Sequence, residues 1–162
     1  EALAFTRWLT DYMKTNGCLA EGWGVVLPSE AEWEKAARGG DGRTYPWGDK
    51  LTPNHANYDQ TGTNTTSAVG CFAQGASPYG IEEMSGNVWE WTRSIWADYP
   101  YDASDGRERL DASDDASRVL RGGSFGNDDQ DVRCGARLAP NPNLRLSLIG
   151  FRVILSPFTS GL

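Results

Sequence analysis

The apolar residues at the start of the chain recur at helical spacing. The first stripe consists of six residues three or four positions apart: Ala2, Phe5, Trp8, Leu9, Tyr12 and Met13. This spacing predicts a helix that stops at Asn16-Gly17. A second helix is predicted from Ser29, because Glu32 completes a capping-box pattern, and Gly39-Gly40 ends it. Both apolar stripes are expected to face the core.

Regular periodicity nearly vanishes between residues 40 and 116, where turn residues surround Trp and Tyr. A loop-rich region of this length needs buried indoles or a bound cation to hold it. Strand-like patterns return at 117–121, 132–137 and 149–155, which we expect to be neighbours in one antiparallel sheet. The pattern predicts an α+β fold with two helices, a small antiparallel sheet and much irregular structure.

Composition limits the classes of protein to consider. The chain has 162 residues, the length of a single domain. Its formal charge of -7 argues against binding to nucleic acid, and no apolar run is long enough for direct membrane insertion. Cys18, Cys71 and Cys134 are odd in number and lack CxxC spacing. This disfavours a disulfide scaffold or a zinc site and agrees with a reducing, cytoplasmic compartment.

Acidic residues crowd the segment 98–118, which has few apolar positions. They are Asp98, Asp102, Asp105, Glu108, Asp111, Asp114 and Asp115. This composition is typical of a solvated, partly mobile insertion loop, and a calcium loop is the alternative.

The segment 126–148 has an unusual composition and lies between two strand-like ends, Arg121-Gly-Gly-Ser-Phe125 and Ile149-Gly-Phe-Arg-Val153. It contains no Lys, Glu, Met or Trp, although these types make up 21 of the other 139 residues. Such a restricted set of side chains favours a ligand-facing surface over a catalytic loop.

Leucines support a binding surface in this segment. Leu144, Leu146 and Leu148 alternate and, together with Leu138, lie among Pro, Asn and Arg, so the three would share one face of an extended strand. An outward face would be an apolar patch typical of a partner surface, whereas an inward face would make them core residues. Asp128, Asp129 and Asp131 would add an acidic rim for hydrogen-bond donors or basic partners.

Motifs along nearly the whole chain follow the order of a known family. They are Leu27-Pro-Ser-Glu-Ala-Glu-Trp33, Ala37-Arg-Gly-Gly40, Tyr45-Pro-Trp-Gly48, Ala56-Asn57, Tyr79-Gly80, Gly86-Asn-Val-Trp-Glu-Trp91, Arg121-Gly-Gly-Ser124, Arg133-Cys-Gly-Ala-Arg137 and Gly150-Phe-Arg152. Together they resemble the formylglycine-generating-enzyme (sulfatase-modifying factor) family, a branch of the C-type lectin fold. The resemblance implies that the domain at 1–162 lacks strands that would precede Glu1, and that the final strand at 151–155 pairs with that portion.

The family resemblance also defines the chemistry to test. The founding oxidase uses copper(I) held by two thiols shortly after Gly-Gly-Ser, but residues 126–133 contain no Cys, so no copper is expected. Cys134 matches a structural position whose usual partner is here Ala37. A second branch holds iron through several His, whereas this chain has only His55, which is expected to be a surface or packing residue. No catalytic residue is therefore predicted, and the chain is not expected to be an enzyme.

The closing segment, 121–153, is similar to the variable region of proteins diversified by retroelements. Adenine-directed mutation of AAY codons gives NNY codons, which cannot encode the missing residues, and only Gln130 departs from this rule. Between the anchors Arg133, Arg137, Pro142 and Arg145, twelve candidate variable positions follow: Gly126, Asn127, Asp128, Asp131, Ala136, Leu138, Ala139, Asn141, Leu144, Leu146, Ser147 and Leu148. The alternative is an ordinary fixed loop.

The family further implies a structural calcium ion. Its ligands would be Glu83, Gly86, Val88 and Glu90, a mixture of side-chain and backbone oxygens that suits a hard cation. The alternative for Glu90 is an ion pair with an arginine such as Arg152. A second family site, at Asn57-Tyr58, lacks its following acidic and aromatic pattern.

We therefore predict a non-catalytic domain that binds a protein or other macromolecular ligand through a diversified surface. An oxidase or related family enzyme is the first alternative, and a regulatory or structural module of a larger protein is the second. The chain starts in mid-helix without Met, so a cell-surface location would require a signal upstream of Glu1.

Overall fold

The computed structural model describes residues 1–113 and 115–157, which form an α+β fold of two helices, short strands and much irregular structure. Its elements in chain order are α1 (Ala2–Thr15), β1 (Trp23–Val26), α2 (Glu30–Arg38), β2 (Trp89–Ile95), β3 (Arg118–Arg121), β4 (Arg137–Leu138), β5 (Ile149–Phe151) and β6 (Ile154–Pro157). The fold class predicted from the sequence is confirmed. Neither helix in the described part of the chain is long and apolar enough to span a membrane.

Helix α2 begins with the predicted capping box. The Ser29 hydroxyl accepts from the Glu32 amide at 3.1 Å, and the Glu32 carboxylate accepts from the Ser29 amide at 2.7 Å. The helix ends at Gly39, whose φ of 71° suits glycine. A Cβ at that position would lie 2.9 Å from Pro78, so the turn after α2 admits little else.

Helix α1 presents its aromatic residues to solvent, so the expectation that its whole apolar stripe faces the core was wrong. Phe5, Trp8 and Tyr12 are 40%, 57% and 55% exposed. A threonine face is buried instead: the Thr10 hydroxyl donates to Val25 O at 3.2 Å and accepts from Val25 N at 2.9 Å. Because these hydrogen bonds seal the open edge of β1, they turn the threonines inward and leave the aromatic residues outside.

The strands form two sheets rather than the single antiparallel sheet expected. The larger has the order β4-β3-β2-β5, and β5 is parallel to β2, with Trp89 opposite Ile149. The second sheet pairs β6 with β1, placing Leu155 opposite Val25. The strand predicted at 149–155 is thus divided between two sheets, and its last part pairs with β1 within this chain.

The predicted strand at 132–137 is mostly a sequence of turns, and only Arg137 extends into β4. The side chains of Val132 and Cys134 are fully buried, which produced the alternating pattern. The carbonyl of Cys134 accepts from the Arg121 guanidinium at 2.7 Å rather than from a neighbouring strand. Alternate side chains are buried here, so the sequence shows a strand-like pattern although no β-ladder forms.

The core consists of two clusters that join the loops to α2. One contains Trp33, Ala37, Met84 and Cys134, and the other contains Tyr45, Ala56, Tyr58 and Val132. Since one member of each cluster comes from the segment 126–148, the buried residues of that segment tie it to the frame.

Part of the acidic segment 98–118 packs against β2, although its composition predicted a solvated loop. Arg107 is almost fully buried, and its guanidinium pairs with Asp105 at 2.6 Å. The carbonyl of Arg107 accepts from the Ile95 amide at 2.7 Å, which extends the end of β2. Asp114, one of the acids noted in the sequence, lies outside the described residues.

Candidate ligand-binding surface

Segment 126–148 leaves the sheet after β3 and returns to it at β5. Arg137 is its strongest attachment. The guanidinium of Arg137 donates to both carboxylate oxygens of Glu30, at 2.5 and 2.8 Å. It also lies 4.1 Å from the Trp96 ring centre and 4.4 Å from that of Tyr99. An arginine held in this way cannot also contact a ligand freely, so Arg137 attaches the segment to α2.

Arg121 is a second and more deeply buried attachment, just before the segment begins. Its guanidinium pairs with Glu30 at 3.3 Å and with Glu34 at 2.6 Å. It also donates to the carbonyls of Cys134 and Gly135, at 2.7 and 3.3 Å. Glu30 therefore pairs with two arginines, one before and one after the buried residues Val132 and Cys134. These two ion pairs fix the path of the chain between the arginines.

None of the twelve candidate variable residues is buried. Seven are exposed: Gly126, Asp128, Leu138, Asn141, Leu144, Leu146 and Ser147. The other five are half-buried: Asn127, Asp131, Ala136, Ala139 and Leu148. The fully buried residues of the segment, Val132 and Cys134, are both outside this set. Changes at the candidate positions would therefore fall at or near solvent rather than in the core.

The leucines of the segment point outward. Leu138, Leu144 and Leu146 are 43%, 40% and 47% exposed, and Leu148 is half-buried. They do not lie on an extended strand, because the Leu144 amide closes a turn onto the carbonyl of Asn141 at 3.0 Å. The outward alternative of the sequence prediction is the one that the structure shows, although turns rather than a strand produce it.

A shallow groove borders these leucines. Its volume is about 560 Å³, and Leu144 and Leu146 line it together with Trp91 and Phe151. Aromatic residues of β2 and β5 therefore continue the apolar surface of the leucines.

Three candidate variable residues, Asn127, Asp128 and Asp131, make hydrogen bonds that shape the loop. Asn127 Oδ1 accepts from Trp89 Nε1 at 2.9 Å and from the Ser124 hydroxyl at 2.5 Å. Asn127 Nδ2 donates to Asp131 Oδ2 at 2.6 Å. Asp128 caps the same loop by accepting from the Gln130 amide at 2.9 Å. The segment 126–131 is thus held internally, and of these four residues only Asp128 and Gln130 are exposed.

Cys134 and His55, the two residues considered for catalysis, are both held by packing contacts in this arrangement. All three cysteines are free, and burial raises the pKa of the Cys134 thiol to about 11. His55 stacks on Trp47 with 4.8 Å between ring centres, and its Nδ1 accepts from the Thr52 amide. Within residues 1–113 and 115–157 no three His, Cys, Asp or Glu side chains come together as metal ligands would.

The predicted calcium ligands do not fit a cation as they stand. Both oxygens of Glu90 accept from Arg152, at 2.5 and 2.8 Å, and one also accepts from Trp33 Nε1 at 2.7 Å. This is the alternative ion pair. In contrast, Glu83 Oε2 is buried without a hydrogen-bond partner, and burial raises the pKa of that carboxyl. Only Glu83 among these carboxylates has an oxygen available for another ligand.

The main residue that the sequence prediction missed is Glu30. It was named only within the motif Leu27-Pro-Ser-Glu-Ala-Glu-Trp33, yet it is almost fully buried and pairs with Arg121 and Arg137. The arginines of two family motifs, Arg121 and Arg137, were the available signal, because a buried guanidinium needs a carboxylate partner.

Comparison with known families gives a match over almost the whole chain. The model of the Sulfatase-modifying factor enzyme 1-like domain matches residues 1–157. The inactive C-alpha-formylglycine-generating enzyme 2 of Bos taurus is 35% identical over 80% of this chain. The formylglycine-generating enzyme of Streptomyces coelicolor is 33% identical over 94% of it. Active and inactive proteins are thus similarly close.

A solved structure is also similar. Treponema denticola variable protein 1 superposes with a TM-score of 0.69 and 30% identity over 83% of this chain. The chain spans 48% of that protein, and 43% and 49% of the bovine and Streptomyces proteins. The resemblance to variable proteins that the sequence indicated is therefore confirmed for fold and sequence, over about half of each relative's length.

Proposed function

This chain belongs to the family of Sulfatase-modifying factor enzyme 1-like domains, and we propose that it is a non-catalytic member that binds a macromolecular ligand through segment 126–148. One observation carries the proposal. The twelve candidate variable residues are all exposed or half-buried, whereas the buried residues of the segment and its chief anchor, Arg137, lie outside that set. A surface that changes while the fold persists requires this division.

The ligand that this surface suits is a protein. Its leucines expose apolar area beside a groove, and Asp128 and Asp129 add exposed carboxylates at the other end of the segment. Apolar centres with charged margins are typical of protein–protein contacts. The similarity to Treponema denticola variable protein 1 supports a surface whose residues vary.

The oxidase remains the alternative because an active formylglycine-generating enzyme is among the similar proteins. Copper(I) chemistry of that kind needs thiolates close together, and a buried Cys134 with a raised pKa supplies none. A regulatory module is the third candidate, and it accords with a chain that spans about half the length of its relatives.

The decisive experiment is to sequence the DNA encoding residues 121–153 from many cells of one culture. If segment 126–148 is diversified by a retroelement, a near-copy of this DNA should lie beside a reverse-transcriptase gene. Substitutions should occur only at positions where that copy has adenine. Substitutions should fall in the twelve candidate codons and spare those of Val132, Cys134 and Arg137. A uniform sequence without such a copy would contradict the proposal.

An assay for oxygen consumption separates the two main classes. The chain is incubated with copper(I) and a cysteine-bearing peptide, and we expect no consumption above that of copper alone. Turnover that Cys134→Ala abolishes and Cys71→Ala preserves would establish the oxidase instead.

A further inference from the structure

Trp89 holds both ends of segment 126–148. Its indole Nε1 donates to Asn127 Oδ1 at 2.9 Å, near the start of the segment. Its backbone amide donates to the carbonyl of Leu148, the last residue of the segment, at 2.9 Å. Trp89 is buried and belongs to β2, an interior strand of the larger sheet. The segment is therefore a loop whose two ends meet at one residue of the frame.

The two bonds to Trp89 differ in what they require of the sequence. The bond to Leu148 uses a backbone carbonyl, which every residue supplies. The bond to Asn127 uses a side-chain oxygen, which apolar residues lack. The same oxygen also accepts from the amide and the hydroxyl of the fully buried Ser124, at 3.1 and 2.5 Å. An apolar residue at position 127 would remove the acceptor of three donors, and buried donors without a partner are strongly disfavoured.

We infer that Asn127 is a positioning residue, which fixes the start of segment 126–148 to Trp89 so that the exposed residues after it are presented in one arrangement. Its importance for a ligand rests on the proposed function. Asn127 differs from the other eleven candidate variable residues: across residues 1–113 and 115–157, only its side chain hydrogen-bonds outside the segment. Position 127 therefore does not vary freely.

Asp131 couples a second candidate position to this role. Asn127 Nδ2 donates to Asp131 Oδ2 at 2.6 Å, which directs the amide oxygen of Asn127 toward Trp89. An ionised carboxylate only accepts, whereas an amide has one accepting and one donating end. The pair thus needs an amide on one side when the other side is a carboxylate, and the two positions are not independent.

An exchange of the two side chains tests the pairing without any ligand. Asn127→Asp keeps an oxygen for Trp89 Nε1 but places two carboxylates against each other. The measurement is solvent exchange of the Trp89 indole N–H by NMR. Asn127→Asp and Asn127→Ala should each accelerate this exchange at least about tenfold. Asn127→Asp combined with Asp131→Asn returns an amide to the pair and should restore a rate close to that of the parent chain.

The indole of Trp33 is the internal reference in the same spectrum. It is almost fully buried, and its Nε1 donates to Glu90 at 2.7 Å. Exchange at Trp33 reports opening of the core, so a variant that loosens only segment 126–148 accelerates Trp89 and not Trp33. Equal acceleration of both indoles would show that Asn127 supports the whole fold rather than the segment, and it would overturn the proposal.

Asn141→Ala is the matched control variant. Asn141 is also an asparagine at a candidate position, but it is exposed, and it accepts from the Asn143 amide at 2.9 Å within the segment. Its loss should leave exchange at Trp89 unchanged. An unchanged Trp89 rate in Asn127→Ala would overturn the role of Asn127. Failure of the exchanged pair to recover the parent rate would overturn the coupling to Asp131.

The DNA sequences proposed above separate this role from the proposed function. If the exposed candidate positions vary while position 127 keeps Asn, both inferences are supported. If position 127 varies as freely as position 141, the segment is diversified, but Asn127 is not a positioning residue. If no position varies, the proposed function fails, and indole exchange alone decides whether Asn127 fixes the segment.

Discussion

Burial affects three ionisable residues of this domain in different ways. Glu30 is almost fully buried, yet two arginines compensate its charge. Glu83 has one carboxylate oxygen buried without a partner, and its pKa is raised because the charged form is poorly solvated. Cys134 stays protonated for the same reason. Burial therefore leaves Glu30 and Cys134 to support the fold, and it leaves Glu83 with a carboxylate oxygen that has no partner.

The Cys134 thiol should be inert in the folded protein. Burial raises its pKa to about 11, so almost no thiolate exists at pH 8, and the side chain is inaccessible. With a disulfide reagent at pH 8, we expect rapid labelling of Cys18 and Cys71, which are exposed. Cys134 should react only after denaturation. A variant with Cys18→Ser and Cys71→Ser isolates the third thiol, and fast native labelling there would contradict this prediction.

Glu83 allows the calcium hypothesis to be tested. A carboxyl whose folded pKa is raised costs stability once pH exceeds its ordinary value, and this cost is absent in more acidic solution. In EDTA, Glu83→Gln should therefore raise the melting temperature at pH 7, and the gain should vanish below about pH 4. The amide keeps the hydrogen bond that Gly70 N donates at 3.2 Å.

Calcium would reverse the sign of that effect. If the ion binds at Glu83, millimolar calcium should raise the melting temperature of the parent chain more than that of Glu83→Gln. Magnesium serves as the control for ionic strength. Equal melting temperatures of the parent chain with and without calcium would remove the site from consideration.

At the scale of elements, local signals were the reliable ones. The capping box at Ser29 and Glu32 predicted the start of α2 correctly, because its hydrogen bonds lie within one turn of chain. Strand β2, Trp89–Ile95, was not predicted, since it is buried on both faces and shows no alternation. The face that α1 turns toward the core depends on the hydrogen bond between Thr10 and the edge of β1. The spacing of apolar residues along one helix does not indicate such a contact.

In the candidate surface too, local features were found from the sequence and long-range contacts were not. Its leucines and Arg137 were singled out from composition and motif, although the sequence left open whether the leucines face outward or inward. The bond between Asn127 and Trp89 and the pairing of Glu30 with two arginines were not predicted, because they join residues distant in the chain. Contacts of this kind depend on the assembled fold rather than on the pattern of one segment.

The anchor of segment 126–148 can be tested by removing Arg137. Arg137→Ala leaves the buried Glu30 with Arg121 as its only arginine and removes the stacking on Trp96. We expect the free energy of unfolding to fall by about 2–4 kcal/mol in urea denaturation. Amide hydrogen exchange should accelerate across segment 126–148.

Arg145→Ala is the control for this prediction. Arg145 is also an arginine of the segment, but its side chain is 75% exposed and pairs with the exposed Glu1. Exposed ion pairs contribute little, so its removal should leave unfolding nearly unchanged. Similar losses from the two substitutions would show that Arg137 is not the main attachment.

At the scale of the whole molecule, the domain combines a fixed frame with a supported outer segment. The frame consists of α2, the four-stranded sheet and the two core clusters. The segment adds Val132 and Cys134 to those clusters and keeps its other side chains at or near the surface. A family that includes active enzymes and inactive members can arise from such a frame, since function depends on the residues that the loops carry.

A diversified binding surface requires that the residues of segment 126–148 can be substituted without unfolding the domain. We expect the triple variant Leu138→Ser, Leu144→Ser and Leu146→Ser to lose less than about 1.5 kcal/mol in free energy of unfolding, because substitutions at exposed positions cost about 0.5 kcal/mol each. The comparison is Leu120→Ala, a fully buried leucine opposite Leu138 in the sheet. Its cavity should cost about 2–4 kcal/mol.

Urea denaturation followed by tryptophan fluorescence measures both variants on one scale. If three outer leucines together cost as much as Leu120 alone, they belong to the core in solution, and segment 126–148 cannot vary freely. If the triple variant keeps its stability, the remaining residues of the frame specify the fold without them. The leucines are then available for a ligand, because an apolar side chain that the fold does not need can be exchanged for one that a partner selects.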